Sequence, residues 1–206
     1  MRRSEVLGAS PRMFESDLLD RFTRVHPAVP AVLYGPVVAV LGWWGVARLG
    51  APAGLALPVA GYALWTLVEY WIHRALFHLK PRGALGARLH WMIHGVHHDH
   101  PGDPLRLVMP PLVSVPLALA FLGLFWAALG AERAAAFGSG FLSGYLAYDL
   151  LHFALHHRRP RSALGRRLRA LHLRHHFEDD TRGFGISAPY WDRVFGTAPS
   201  GRRAQP

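Results

Sequence analysis

Residues 134–157 read AAAFGSGFLSGYLAYDLLHFALHH, an apolar run that closes on two histidines four apart, His152 and His156. Its apolar part, 134–155, is close to the roughly 20 residues that a helix needs to cross a bilayer. Residues four apart stand on one helical face. The run therefore predicts a membrane helix that delivers two imidazoles to one side. Three further apolar stretches lie upstream at 29–49, 53–72 and 112–129. The first two are separated by a turn of only 50–52, which predicts a helical hairpin. Pro36, Pro58 and Pro116 fall inside these stretches; membrane helices tolerate proline, and here it predicts hairpins that dip deeply and return.

Composition agrees with this reading. Of 206 residues, 51% are hydrophobic and 12% aromatic, and only 17% are charged, against roughly 25% in soluble domains. The length leaves room for one domain. There is no cysteine, which excludes disulfides, thiolate metal sites, cysteine nucleophiles and thioether haem attachment. Any metal must be held by histidine and carboxylate.

The net charge of +10 raises the question of nucleic acid, but the placement of the charges answers it. Five basic residues precede the first stretch, five lie between the second and third, and eleven follow the fourth. Only Arg48 and Arg133 lie at the opposite ends. The positive-inside rule then puts both termini and the central loop in the cytoplasm, and no nucleic-acid partner is needed. The expectation is an all-α integral membrane protein of about four transmembrane helices in two hairpins with a cytoplasmic histidine-rich helical cap. Residues 1–28 form a cytoplasmic amphipathic lead-in with Phe14, Leu18, Leu19 and Phe22 at helical spacing, suited to lying on a membrane surface. Residues 29–199 form the membrane domain, and 200–206 a disordered tail.

Fourteen histidines are several times the usual share. Ten fall into four clusters that the topology places on one side: His73 and His78 in HRALFH, His94, His97 and His98 in HGVHH, His152 and His156 in HFALH, and His172, His175 and His176 in HLRHH. HxxHH and HxxxH present their rings together on a helix. His73 and His78, five apart, stand about 140° off a common face on a regular α-helix, so that pair requires a helix end or a local distortion between its members. Neutral imidazole suits zinc, iron, copper and nickel. Ten exceed the shell of one ion, so two metals are expected. His26 reads as a residue satisfied by backbone or headgroup, and His90, His100 and His157 as supporting or surface residues. Glu69, Asp103 and Asp149 lie near the clusters. A carboxylate that accepts the second N–H of a ligating imidazole is the expected role of Asp103 and Asp149, while Glu69 is open between that role and direct ligation.

These boxes resemble the fatty acid hydroxylase and sterol desaturase superfamily of membrane di-iron enzymes. Within it, LHWMIHGVHHDHPGDPLRLVMPP at 89–111, GYLAYDLLHFALHH at 144–157 and HLRHHFEDDTRGFGISAPYWDRVFGT at 172–197 are most similar to the fatty acid 2-hydroxylases, which act on sphingolipid acyl chains. The resemblance implies two iron ions on the ten clustered histidines, O2 as co-substrate, and hydroxylation of the carbon beside the acyl carbonyl. Zinc is able to replace iron in purified samples. Tyr145, Tyr148, Phe184 and Trp191 are candidates to line the acyl entrance. Eukaryotic relatives begin with a cytochrome b5-like haem domain that this N-terminus is too short to hold, so a separate cytochrome b5-like or ferredoxin-like donor and a bacterial inner membrane are expected. Alternatives are a sterol desaturase or carotenoid hydroxylase, or a histidine-rich metal transporter or sensor. A transporter would place its ligands midway through the membrane.

Overall fold

The fold is known from a computed structural model that describes residues 2–199, the side chains of residues 3 and 4 apart. The expected tail at 200–206 lies outside the described residues. Among these, all regular structure is helical. Helices α3 (Val29–Leu49) and α4 (Ala51–Trp71) form one hairpin, and α7 (Pro111–Leu129) and α8 (Ala131–His157) the other. Each hairpin turns on one glycine. Gly50 has φ 74 and ψ 169, and Gly130 has φ 75 and ψ 165, a region that only glycine enters without strain. Pro30, Pro52 and Pro111 sit in the first turns of their helices, where the missing N–H has no intrahelical partner to lose. Pro36, Pro58 and Pro116 do not break their helices, which run through them.

Helix α8 lies at the centre, with α3, α4 and α7 packed around it. Its inner turns are small: Ala134, Ala135, Ala136, Gly138, Ser139, Gly140 and Gly144 are all buried. A Cβ on Gly140 would run into the Pro58 carbonyl, one on Gly61 into the Phe137 carbonyl, and one on Gly144 would lie 2.6 Å from Trp65. Close backbone approach of this kind drives helix association where lipid removes the hydrophobic incentive. Above the glycines, Trp65 meets Phe141 at 5.2 Å and Tyr145 at 5.3 Å in edge-on geometry, and Tyr34 meets Tyr145 at 5.0 Å.

Among the described residues, three helices are long and apolar enough to cross a membrane: α3, α4 with its continuation to Phe77, and α7. Their outer faces expose large apolar groups such as Val32, Trp43, Val59, Leu112 and Trp126. The fourth expected segment, α8, is long enough but more polar, carrying Glu132, Arg133 and Asp149. Its position explains this: a helix enclosed by others is not required to be apolar all round.

The lead-in is tied to the loop after the second histidine cluster. Helix α1 (Arg3–Leu7) supplies carbonyls to that loop: Gly102 N–H donates to Leu7 O at 2.9 Å and His100 Nδ1 to Val6 O at 2.7 Å. Val25 N–H donates to Leu105 O at 2.7 Å. Asp20 of α2 (Asp17–Phe22) joins the two segments through Arg24 at 3.0 Å and buried Arg106 at 3.2 Å. Burial opposes the Asp20 charge, but the Met13 N–H, Arg24 and Arg106 outweigh it and hold the carboxyl down to about 2. Leu18, Leu19 and Phe22 stay exposed on the opposite face.

Candidate metal centre

Beyond Trp71, helix α4 widens into a π-helical turn at Ile72–Phe77. His78 N–H donates to His73 O at 3.2 Å, an i→i+5 bond. Widening the turn brings residues five apart over one another, which is the distortion that the HRALFH spacing requires. His73 and His78 thus share a face. A second π turn, Trp91–Gly95, joins α5 (Gly83–His90) to α6 (Val96–Asp99) and carries His94. His152 and His156 close α8, and α9 (Ala163–Phe177) carries His172, His175 and His176.

The ten histidines converge into two groups of five. His73, His78, His94, His98 and His175 form the first, and His97, His152, His156, His172 and His176 the second; within each, one nitrogen per ring lies within 4.8 Å of all the others. The sequence boxes do not map one to one onto the groups. In HGVHH, His94 and His98 turn to the first group and His97 to the second. In HLRHH, His172 and His176 turn to the second and His175 to the first. Each box therefore bridges both groups, and the His98 and His176 rings stack at 4.2 Å across the boundary.

Ring nitrogens face one another at close range. In the first group, His94 Nε2 lies 3.2 Å from His73 Nε2 and 3.1 Å from His98 Nε2, and His175 Nε2 lies 3.0 Å from His78 Nε2. In the second, His152 and His97 meet at 3.0 Å and His156 and His172 at 2.6 Å. Imidazole nitrogens bound side by side on one ion at about 2.1 Å stand about 3.0 Å apart, so both groups fit a metal shell. Tautomers support the first group directly. His73 Nδ1 donates to Phe184 O and His175 Nδ1 to Arg182 O, each at 2.7 Å. A carbonyl only accepts, so each Nε2 keeps its lone pair for the cluster. In the second group, Nδ1 of His97, His152 and His172 and both nitrogens of His176 are buried without a hydrogen-bond partner among the described residues. Neither nitrogen of His176 has a partner among these residues, so one is free to join the facing Nε2 atoms of His97, His152, His156 and His172 on a cation.

Burial, followed by the mutual repulsion of neighbouring imidazoliums, pushes His94, His97, His172 and His176 well below the ordinary histidine value and His78 and His98 down to about 3. The rings are neutral at physiological pH, which is the ligating form. The unfolded chain titrates near 6.5, so below that pH it binds protons that the metal-free fold refuses. Stability of the metal-free protein therefore falls as pH drops from about 6.5 towards 3, by up to about 1.4 kcal/mol per pH unit for each histidine. The melting temperature of chelator-treated protein is expected to decline steeply between about pH 7 and pH 5. A flat profile would contradict a buried neutral cluster.

Residues 58–197 match the Fatty acid hydroxylase family, which is most of the chain. The chain belongs to that family. It is 40% identical over 197 residues to the dihydroceramide fatty acyl 2-hydroxylase FAH1 of Arabidopsis thaliana, covering 92% of this chain and 81% of the plant protein. It is 42% identical over 184 residues to the ceramide very long chain fatty acid hydroxylase SCS7 of Saccharomyces cerevisiae, covering 88% of this chain and 48% of the yeast protein. The fold matches a solved structure of full-length scs7p, in which only the hydroxylase domain is visible, with a TM-score of 0.87 at 35% identity over 94% of this chain and 73% of the other.

The carboxylates of this hydroxylase stand apart from the imidazoles, contrary to the expected pairing. Glu69 is buried and accepts the Ser187 N–H at 2.7 Å together with the Ser187 hydroxyl. Asp149 accepts the Tyr145 hydroxyl at 3.1 Å and the Met109 N–H at 3.4 Å. Asp103 caps Leu105 N–H at 3.0 Å and faces Arg106 at 3.7 Å. Each holds a loop beside the histidines, and the groups that receive the His73 and His175 protons are main-chain carbonyls. Of the four candidate lining residues, Tyr145 borders the apolar slot between α4, α7 and α8. Tyr148 stacks on His152 at 5.7 Å, Phe184 packs on His73, His78 and His175, and Trp191 donates to Thr66 Oγ1 at 3.1 Å. His26 accepts the Ala28 N–H, and exposed His157 stacks on Phe153. Sequence reasoning passed over Asp192, whose carboxylate holds Phe184 and Gly185. Its signal was present: a Gly-x-Gly turn exposes main-chain N–H groups that need an acceptor, and Asp192 follows within one short helix, α10 (Tyr190–Val194).

Proposed function

We propose that the chain is a membrane di-iron monooxygenase that hydroxylates C2 of long acyl chains on a ceramide-type lipid, using O2 and two electrons from a separate donor protein. The observation that carries this reading is the pairing of two five-imidazole groups with 36–40% identity to relatives named 2-hydroxylases. His73, His78, His94, His98 and His175 would hold one iron, and His97, His152, His156, His172 and His176 the other. Iron bound there supplies the reductive activation of O2 that a C–H bond next to a carbonyl requires. In balance, the C2 hydrogen is replaced by hydroxyl, and the second oxygen atom leaves as water with two protons and two electrons.

The protein's own contribution is neutral ligands, orientation and dryness. Phe77 and Phe184 close over the first group, and Tyr148 over the second. The apolar slot bordered by Trp65, Ile72, Met109, Phe121, Leu142 and Tyr145 reaches the turn that carries His73, since Ile72 is its neighbour in sequence. Its free volume of about 30 Å³ is that of one water. An acyl chain must therefore part these side chains to enter.

Mass spectrometry of acid-hydrolysed lipids from cells with and without the gene product tests the reaction. 2-Hydroxy fatty acids are expected only in the expressing cells. Hydroxylated or desaturated sterols or carotenoids in their place would move the chain to another branch of the family.

The topology belongs to the same proposal. Four passes, with α8 as the fourth, leave both termini, the histidine-rich cap and the basic loops in the cytoplasm, as the charge distribution favours. Reporter fusions at residues 10 and 200 are both expected to read cytoplasm, and an external signal from either would overturn it.

A further inference from the structure

The segment 182–187 surrounds the first histidine group with main chain. Its Arg182 and Phe184 carbonyls take the Nδ1 protons of His175 and His73. The segment does not hold this shape by itself. Gly183 stands at φ 80, and a Cβ on Gly185 would lie 2.5 Å from Ala188 O, so the turn is tight and its N–H groups have no partners within it. Two of them end on one carboxylate. Asp192, 1% exposed, accepts Phe184 N–H on Oδ1 and Gly185 N–H on Oδ2, both at 2.9 Å. Thr197 Oγ1 donates to Asp192 Oδ1 at 2.8 Å and pairs with the Tyr70 hydroxyl at 2.9 Å, which fastens the carboxylate to α4. Glu69 grips the far end of the segment at Ser187. Asp192 itself hydrogen-bonds no imidazole among the described residues.

We propose that Asp192 is a positioning residue for one of the two metal sites. By holding the N–H groups of Phe184 and Gly185 it fixes the carbonyls that set the tautomer and direction of His73 and His175. The second group lacks this support, since Nδ1 of His97, His152 and His172 meets no main-chain acceptor among the described residues, and it does not depend on Asp192. The inference rests on the metal-binding reading of the histidines.

The test isolates each site and titrates it with Co(II) alone, followed by its absorption. His156→Ala disables the second group and leaves the first to be measured; His78→Ala does the reverse. Asp192→Asn keeps the size but sets an amide NH2 against one of the two N–H groups. It is expected to weaken Co(II) binding about 10- to 100-fold in the His156→Ala background and to change it less than about twofold in the His78→Ala background, the range seen when an outer-shell partner is lost. Thr197→Val, which frees the carboxylate from α4 but spares both loop contacts, should weaken the first site less than Asp192→Asn does and leave the second near its starting affinity. If Asp192→Asn does not fold, Glu69→Gln in the same two backgrounds carries the test, because it releases the Ser187 hydroxyl at the other end and is expected to weaken the first site selectively. Equal weakening in both backgrounds means general loosening of the fold and overturns the proposal, as does unchanged affinity at the first site. A parent protein that takes up no Co(II) overturns the metal centre itself, and the role of Asp192 with it.

Discussion

Cells expressing His94→Ala or His175→Ala are expected to contain 2-hydroxy fatty acids only at the level of cells without the gene product, and the purified variants about one metal ion per chain where the parent holds two. His94 is the most demanding case. Its Nε2 faces two other ring nitrogens, on His73 at 3.2 Å and His98 at 3.1 Å, so its loss opens a gap at the middle of the first group. His175 adds a second cost, because its Nδ1 contact with Arg182 O also anchors the segment that orients His73. An outer partner of a ligand already changes metal affinity or activity by about 10- to 100-fold, and loss of the ligand itself should exceed that. His100→Ala and His157→Ala supply the contrast. The first ring bonds Val6 O and the second stacks on Phe153 outside both groups, so product should persist in each. Wild-type product from His94→Ala would refute the assignment of these rings as ligands.

What was legible in the sequence follows from the range of the forces involved. Helix lengths and hairpin turns are set locally by apolar runs, Gly50 and Gly130, and the expected stretches lie within a few residues of α3, α4, α7 and α8. Eight of the ten clustered histidines were legible because their spacing repeats a helical face, His73 and His78 only through the resemblance of their box, and the structure gathers all ten. Their division into two groups was not. It depends on how separate helices converge, and HGVHH and HLRHH each divide between the groups. The carboxylates were misread for a related reason. Asp149 lies three residues before His152 and Glu69 four before His73, which places each on its histidine's face. Their oxygens are nevertheless taken by Tyr145 and Met109 in one case and Ser187 in the other. Sequence proximity shows which groups are able to meet. Competition for the acceptor is settled in part by loops that arrive from far along the chain, Met109 40 residues from Asp149 and Ser187 118 from Glu69.

The other large effect concerns a single methyl group. Gly140→Ala is expected to remove most of the folded, monodisperse protein from a detergent extract, whereas Gly123→Ala leaves its yield unchanged and its melting temperature equal or slightly higher. Both glycines lie inside long helices, and on propensity alone alanine would favour each by up to about 1 kcal/mol. Space decides between them. Nothing lies within 4 Å of a Cβ built on Gly123, but one on Gly140 would enter the Pro58 carbonyl of α4. The obstacle is main chain, so no rotamer relieves it, and α4 and α8 must move apart. That separation would reach further than the contact itself. Gly61 against Phe137 and Gly144 against Trp65 hold the same pair of helices together. Along α4 and α8, the same two helices also carry His73, His152 and His156 into the centre. Overpacking a well-filled interior costs about 1–3 kcal/mol even when side chains can yield, and here the yielding element would be a helix that positions clustered histidines. Metal content is therefore expected to fall together with yield in Gly140→Ala. A variant that purified like the parent with both ions in place would show that the α4–α8 contact is looser than these backbone distances require.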